Sequence, residues 1–145
     1  MADSTRNWIV TNIQFKEVEY TPTFTSLGTC TNIKVFAKRE GNRLKINGHF
    51  TVGTPIGSEA RMTLPFSLVS DATIVPTIAL VGKFDGNVAG AWVRLVLIES
   101  NIGYITFGNA DAGNAGLAKR NGSSVFNTGE IISFYCDIPI STWNI

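Results

Sequence analysis

The stretch from Asn32 to Gly53 constrains the fold of this chain more than any other, because its side chains alternate strictly between apolar and polar. Between Arg43 and Phe50 every second residue is apolar or glycine, which is typical of a β-strand with one buried face. The arm before it alternates in the same way, and Glu40-Gly41-Asn42 supplies a short connection that contains glycine. The stretch therefore predicts one long β-hairpin. Its register is well specified, since a shift of one residue would expose the apolar set, Leu44, Ile46 and Phe50.

The rest of the chain also favours β structure. Threonine and isoleucine occur fifteen times each and valine eleven times, against eight leucines, and turn residues separate about eight apolar segments without a convincing helix. A length of 145 residues is that of one domain, which can bury a core without disulfides. We therefore predict an all-β fold, an antiparallel β-sandwich of jelly-roll type with about eight strands. Residues 20–145 form the sandwich, and residues 1–19 are an N-terminal arm or a first strand.

Charge and sequence pattern exclude several classes of partner. The net charge of +1 provides no field for nucleic acid or for an anionic membrane surface. No apolar run reaches the roughly 18–20 residues of a membrane span, and the N-terminus lacks the pattern of a signal peptide. We expect a chain that is made in a cytoplasm, stays soluble there and keeps Cys30 and Cys136 as free thiols.

Residues for catalysis or metal binding are sparse. The single histidine, His49, lies on the polar face of the predicted hairpin without a carboxylate or cysteine nearby in sequence. The segment that starts at Asp111 lacks side-chain oxygens at two positions that a calcium loop requires. We therefore predict that the chain is not an enzyme and binds neither a cofactor nor a metal. A carbohydrate-active enzyme is the remaining catalytic alternative, through a spatial carboxylate pair such as Glu59 with Asp137.

Two segments are candidate contact surfaces. The sequence favours two interpretations of Trp8, Ile9 and Val10 equally: part of an edge strand, or a segment that attaches to a neighbouring subunit or to a capsid. The segment from Gly108 to Ser124 is rich in small residues and is predicted to be a long surface loop. Its candidate contact residues are Asn109, Asp111, Asn114, Lys119 and Arg120. The tryptophans Trp8, Trp92 and Trp143 are more typical of core or interface than of an exposed stacking site.

Several strand and turn motifs carry a resemblance to a known group of proteins. They are Tyr20-Thr-Pro-Thr-Phe, Gly28-Thr with Asn32, the segment Arg39-Glu-Gly-Asn-Arg-Leu-Lys-Ile-Asn-Gly-His-Phe with Gly53, Ala60-Arg-Met-Thr-Leu-Pro and Ile138-Pro-Ile-Ser-Thr-Trp. From about Tyr20 to its end, the chain resembles the small β-rich modules of tailed-phage virion proteins, both capsid decoration proteins and C-terminal domains of tail fibres. The resemblance implies a homotrimer without catalytic residues.

Two virion functions follow from the resemblance. The first is a decoration, or cement, protein that binds the major capsid protein or another virion protein through its N-terminal arm, after synthesis in the bacterial host cytoplasm. The alternative is a tail-fibre tip that recognises a glycan or protein receptor on the host surface through the Gly108 loop and exposed aromatic residues. A fibre tip normally follows a repetitive shaft, whereas this sequence begins at Met1 without one, so we expect decoration.

Overall fold

The described residues form ten strands, which hydrogen-bond into one antiparallel sheet. The computed structural model describes residues 16–88, 93–111 and 116–143. A 3₁₀ turn at Pro65–Ser67 and a four-residue helix, α1 (Gly122–Val125), are the helical elements in these ranges. The strands are β1 (Val18–Tyr20), β2 (Phe24–Thr25), β3 (Thr31–Glu40), β4 (Arg43–Thr51), β5 (Arg61–Thr63), β6 (Ile78–Gly86), β7 (Arg94–Glu99), β8 (Tyr104–Asp111), β9 (Gly116–Lys119) and β10 (Ile131–Pro139).

The sheet curls until its two ends come close together. Its strand order is β1-β3-β4-β10-β6-β7-β8-β5-β2, with β9 paired to β8. β1 and β2 lie at opposite ends of this order, although only residues 21–23 separate them in the chain, a span of roughly 14 Å at most. Tyr20 Oη donates a hydrogen bond to the carbonyl of Thr63 across this seam, at 3.2 Å. The all-β antiparallel prediction is confirmed; the jelly-roll connectivity stays a prediction.

The long hairpin has the predicted register. Leu44, Ile46 and Phe50 are at most 1% exposed, whereas Lys45 and His49, which alternate with them, are exposed. β3 pairs with β4 from Glu40 opposite Arg43, and the turn between them contains Gly41 at φ +62°. Glycine adopts this left-handed conformation at little cost, so the connection can be two residues long.

Phenylalanine side chains in the core join strands that are distant from one another in the order of the sheet. Phe50 of β4 lies 4.5 Å from Phe24 of β2, centroid to centroid, and 6.2 Å from Phe107 of β8. Phe84 of β6 also packs against Phe107, edge to face at 5.1 Å. Pairs in such geometry contribute about 0.5–1.5 kcal/mol beyond area burial. The core therefore lies inside the curl, and the other face of the sheet points outward.

The predictions for the chain after Thr77 need correction. The strand β6 continues through Asp85 and Gly86, although the dipeptide Asp-Gly is typical of a turn. The long loop predicted over Gly108 to Ser124 is wrong, because β8 extends to Asp111, β9 pairs with it, and α1 follows. A run of small residues is typical of a loop, but here the small residues allow the backbones of β8 and β9 to lie close together. A Cβ on Gly108 would lie 2.2 Å from the Ala118 carbonyl oxygen on β9.

Candidate functional site

The residues predicted to make contacts are only partly within the described chain. Trp8, Ile9 and Val10 lie outside the described residues, as do Trp92 and Asn114. Two residues of the predicted segment 1–19, Val18 and Glu19, belong to β1 and hence to the sheet.

The other members of the predicted contact loop are strand residues or adjoin strands. Asn109 is 2% exposed, and its Oδ1 accepts a hydrogen bond from Arg120 Nε at 2.7 Å. Asp111 is the last residue of β8, and Lys119 is the last residue of β9. Asn109 is therefore buried, and the half-buried Arg120 is the residue that donates to it.

Lys119 is the centre of a group of charged side chains that we name the Lys119 cluster. Its Nζ lies 3.1 Å from Glu59 Oε2 and 3.0 Å from Glu99 Oε1. Arg61 Nε donates a hydrogen bond to Glu59 Oε1 at 2.9 Å, and the Arg61 guanidinium lies 4.3 Å from the centroid of the Tyr104 ring. The cluster joins β5, β7, β8 and β9, which local sequence patterns could not reveal.

Mutual pairing keeps the Lys119 cluster charged. Partial burial raises the pKa of Glu59, but hydrogen bonds from Arg61 and Lys119 outweigh it, so the pKa of Glu59 lies below its ordinary value. Hydrogen bonds to Glu99 and to Glu59 raise the pKa of Lys119 in spite of burial. A glycosidase needs one carboxyl group with a raised pKa as its general acid, so Glu59 does not suit that role.

The two members of the predicted carboxylate pair lie in separate parts of the sheet: Asp137 lies on β10, and Glu59 lies just before β5, which is not a neighbour of β10. Asp137 accepts a hydrogen bond from Arg43 Nε at 2.5 Å and lies opposite Lys45, near the hairpin turn. The carboxylate of Glu59 is held instead by Arg61 and Lys119, and its backbone forms an isolated bridge with Asn121 beside β9. The arrangement of these two residues therefore gives no support to the enzyme alternative.

A buried ion pair that the sequence analysis did not anticipate lies where β7 and β10 begin. Arg94 Nη1 lies 2.5 Å from Glu130 Oε1, and the two residues are 8% and 0% exposed. The other carboxylate oxygen accepts a hydrogen bond from the backbone N–H of Asn127 at 2.9 Å. A Cβ on Gly86 would lie 2.2 Å from Glu130 Oε1, so only glycine leaves room there. A single arginine at the start of an apolar strand was the sole signal in the sequence.

The outward face of β4, β10 and β6 presents polar residues around one exposed aromatic side chain. Tyr135, which is 58% exposed, lies on β10 opposite Asn47 of β4 on one side and Lys83 of β6 on the other. In the next row Ser133 lies between His49 and Asp85. His49 is thus an exposed residue of a mixed polar surface, which we name the Tyr135 face and define as Asn47, His49, Lys83, Asp85, Ser133 and Tyr135.

A shallow groove of about 370 Å³ runs along the Tyr135 face between β6 and β10. Its side-chain lining includes Lys83, Asp85, Ser133 and Tyr135, and a second depression of about 330 Å³ continues it past Asp85 and Ser133 to Ile131. Within residues 16–88, 93–111 and 116–143, the side chains of Lys83, Ser133 and Tyr135 have no hydrogen-bond partner in the protein. All three residues are exposed.

The thiols and the possible metal ligands complete the chemistry of the described chain. Cys30 and Cys136 are free, as predicted, and burial raises the pKa of both thiols. No three histidine, cysteine or acidic side chains among the described residues are placed to hold a metal ion. In the same ranges the helices are too short to cross a membrane.

Comparisons with known proteins found no family model, no curated protein and no solved structure that matches this chain. The resemblance to phage virion modules therefore stays a prediction.

Proposed function

We propose that this chain is a structural protein of a tailed-phage virion that decorates the capsid as a homotrimer. The segment before β1 makes the attachment. The proposal rests on the resemblance of the strand and turn motifs and on one structural observation, the way in which the chain enters the sheet.

The chain enters the sheet at an edge. β1 is a terminal strand of only three residues, and it pairs with Val35, Phe36 and Ala37 of the ten-residue strand β3. Two exposed contacts lie where the chain enters the sheet: Asn47 Nδ2 donates to Glu17 Oε1 at 2.9 Å, and Lys34 Nζ lies 3.3 Å from Glu19 Oε1. A segment that enters at an edge strand can extend to a neighbour without disturbing the core.

The chemistry of the segment suits an apolar attachment. Trp8, Ile9 and Val10 are apolar residues that follow a polar start, and the net charge of +1 gives the chain no strong attraction to a charged partner. Aromatic side chains are enriched in the buried centres of protein interfaces. We therefore assign the contact with the capsid to these three residues and expect backbone strand pairing to support it.

Reconstitution tests this proposal directly. Phage particles stripped of the protein are mixed with the intact chain, with a variant that lacks residues 1–10, or with a full-length variant that carries Trp8→Ser, Ile9→Ser and Val10→Ser. We expect both variants to remain folded trimers, by circular dichroism and sedimentation, and to lose attachment to the particles. Attachment of either variant at the level of the intact chain would contradict the assignment of the segment.

The second candidate function is a receptor-binding module at a tail-fibre tip. The observation that favours it is the Tyr135 face, where an exposed aromatic ring lies among exposed polar side chains of the sheet. Binding of the intact protein to host cells, without any contact with the capsid, would favour this function over decoration.

A further inference from the structure

We infer that the Tyr135 face is a binding site for a neutral saccharide. The ring of Tyr135 contacts the apolar face of a sugar ring, and Lys83, Asp85 and Ser133 bind its hydroxyl groups. The inference gives the ligand class of the second candidate function and does not rest on decoration, because it concerns the isolated protein and residues other than 1–10.

The position of Tyr135 is the first step of the argument. Tyr135 lies in the middle of an ordered sheet, between β4 and β6, and yet 58% of it is exposed. Its two neighbours across the strands are Asn47 and Lys83, so the ring stands apart from other apolar side chains in its row. Because strands are spaced about 4.8 Å apart, these polar groups lie within reach of a ligand that rests on the ring.

The polar groups of the groove supply both kinds of hydrogen-bonding partner. Lys83 offers donors, Ser133 both donates and accepts, and Asp85 accepts. One oxygen of Asp85 already accepts the N–H of Gly86 at 2.9 Å, which holds the carboxylate in place. A sugar hydroxyl is both a donor and an acceptor, so neighbouring hydroxyls match such a mixed set.

The balance of charge and polarity argues against other occupants. The groove contains one lysine and one aspartate, whereas nucleic acid and anionic lipid require an excess of basic residues. Three of the four outward side chains of the groove, those of Lys83, Asp85 and Ser133, are of types depleted in the buried centres of protein interfaces, and only Tyr135 is of an enriched type, which favours a small ligand over a protein partner. A neutral ligand that has one apolar face and many hydroxyls is the chemistry that remains.

The test uses the full-length protein and an array of immobilised glycans, followed by titration of the best binders under observation of backbone amides by nuclear magnetic resonance. We expect saturable shifts at Lys83, Ser133 and Tyr135. Tyr135→Ala should weaken binding at least tenfold, about 1.4 kcal/mol, whereas Tyr135→Phe, which keeps the ring, should stay within a few-fold. Ile74→Ala is the matched control, since Ile74 is 56% exposed but lies in a loop outside the groove.

Three results would overturn the inference. They are no binding to any glycan on the array, binding that Tyr135→Ala leaves unchanged, and shifts that lie outside the groove. Binding of an oligothymidylate or of anionic vesicles at the groove in place of glycans would assign it to another class of ligand. Because Tyr135 is exposed, its variants should melt at the temperature of the wild type, which separates lost binding from lost folding.

Discussion

Arg94 and Glu130 form an ion pair that is almost completely shielded from water, with 2.5 Å between Nη1 and Oε1. The pair connects the first residue of β7 to the residue before β10, and Asn127 satisfies the second carboxylate oxygen. A buried charge is costly unless its partner and hydrogen bonds compensate for desolvation. Both partners here have such compensation, so loss of either one leaves a buried charge alone.

Arg94→Met should lower the free energy of unfolding by about 3–5 kcal/mol, because it leaves Glu130 buried without its counter-charge. The double variant Arg94→Met, Glu130→Met should recover a large part of this loss. Urea unfolding of the four members of the cycle measures both effects. The control is the exposed pair Lys34–Glu19, where Lys34→Met should cost at most about 1 kcal/mol. Equal costs at the two pairs would contradict the assigned burial.

Leu44→Ala or Ile46→Ala should cost roughly 2–5 kcal/mol, because each removes a fully buried side chain and leaves a cavity. Lys45→Ala, between them, should change the free energy of unfolding by at most about 0.5 kcal/mol, since Lys45 is exposed and its contact with Glu40 is a surface ion pair. The three free energies come from chemical denaturation. A similar loss at all three positions would show that the register of β4 is wrong.

The contribution of the Lys119 cluster to the stability of the fold should decrease at both low and high pH. Because the pKa of Glu59 is lowered from 4.5, its contribution is complete above that pH and is lost as the pH falls through its folded value. Because the pKa of Lys119 is raised from 10.5, its contribution is complete below that pH and is lost as the pH rises through its folded value. The difference in melting temperature between wild type and Lys119→Met should therefore be largest between these pH values. A difference that does not change with pH would refute the pairing.

Both cysteines should be alkylated in the denatured, non-reduced protein. In the folded protein Cys136 should react far more slowly than Cys30, because it is buried and its thiol has a raised pKa. Mass spectrometry of peptides at timed intervals measures both rates. A peptide in which Cys30 and Cys136 are linked would contradict the assignment of free thiols.

Local alternation made the hairpin predictable from sequence. Leu44, Ile46 and Phe50 recur at the period of a strand, and the turn contains Gly41, so neighbouring residues alone encode this element. The segment Gly116–Lys119 has no comparable signal, because Gly116, Leu117 and Ala118 include no β-branched or aromatic residue. Pairing with β8, which is a tertiary contact, makes it a strand.

The sites were less predictable than the fold because they combine residues that are distant in sequence. Arg94 and Glu130 are 36 positions apart, and Lys83 and Tyr135 become neighbours only when β6 pairs with β10. The residues next to a charged residue in sequence do not show whether it will be buried or which residue will pair with it. Asn109 shows the converse, since it looked like a loop residue and is held inside by Arg120.

The central claim, decoration of a capsid through the N-terminal segment, is tested most directly by electron cryomicroscopy of the phage particle. We expect trimers of the curled sheet on the capsid surface, with density for residues 1–17 that continues from β1 into contact with a capsid protein through Trp8, Ile9 and Val10. Density for the protein at the tail tip, or on the capsid with residues 1–17 directed away from it, would contradict the account.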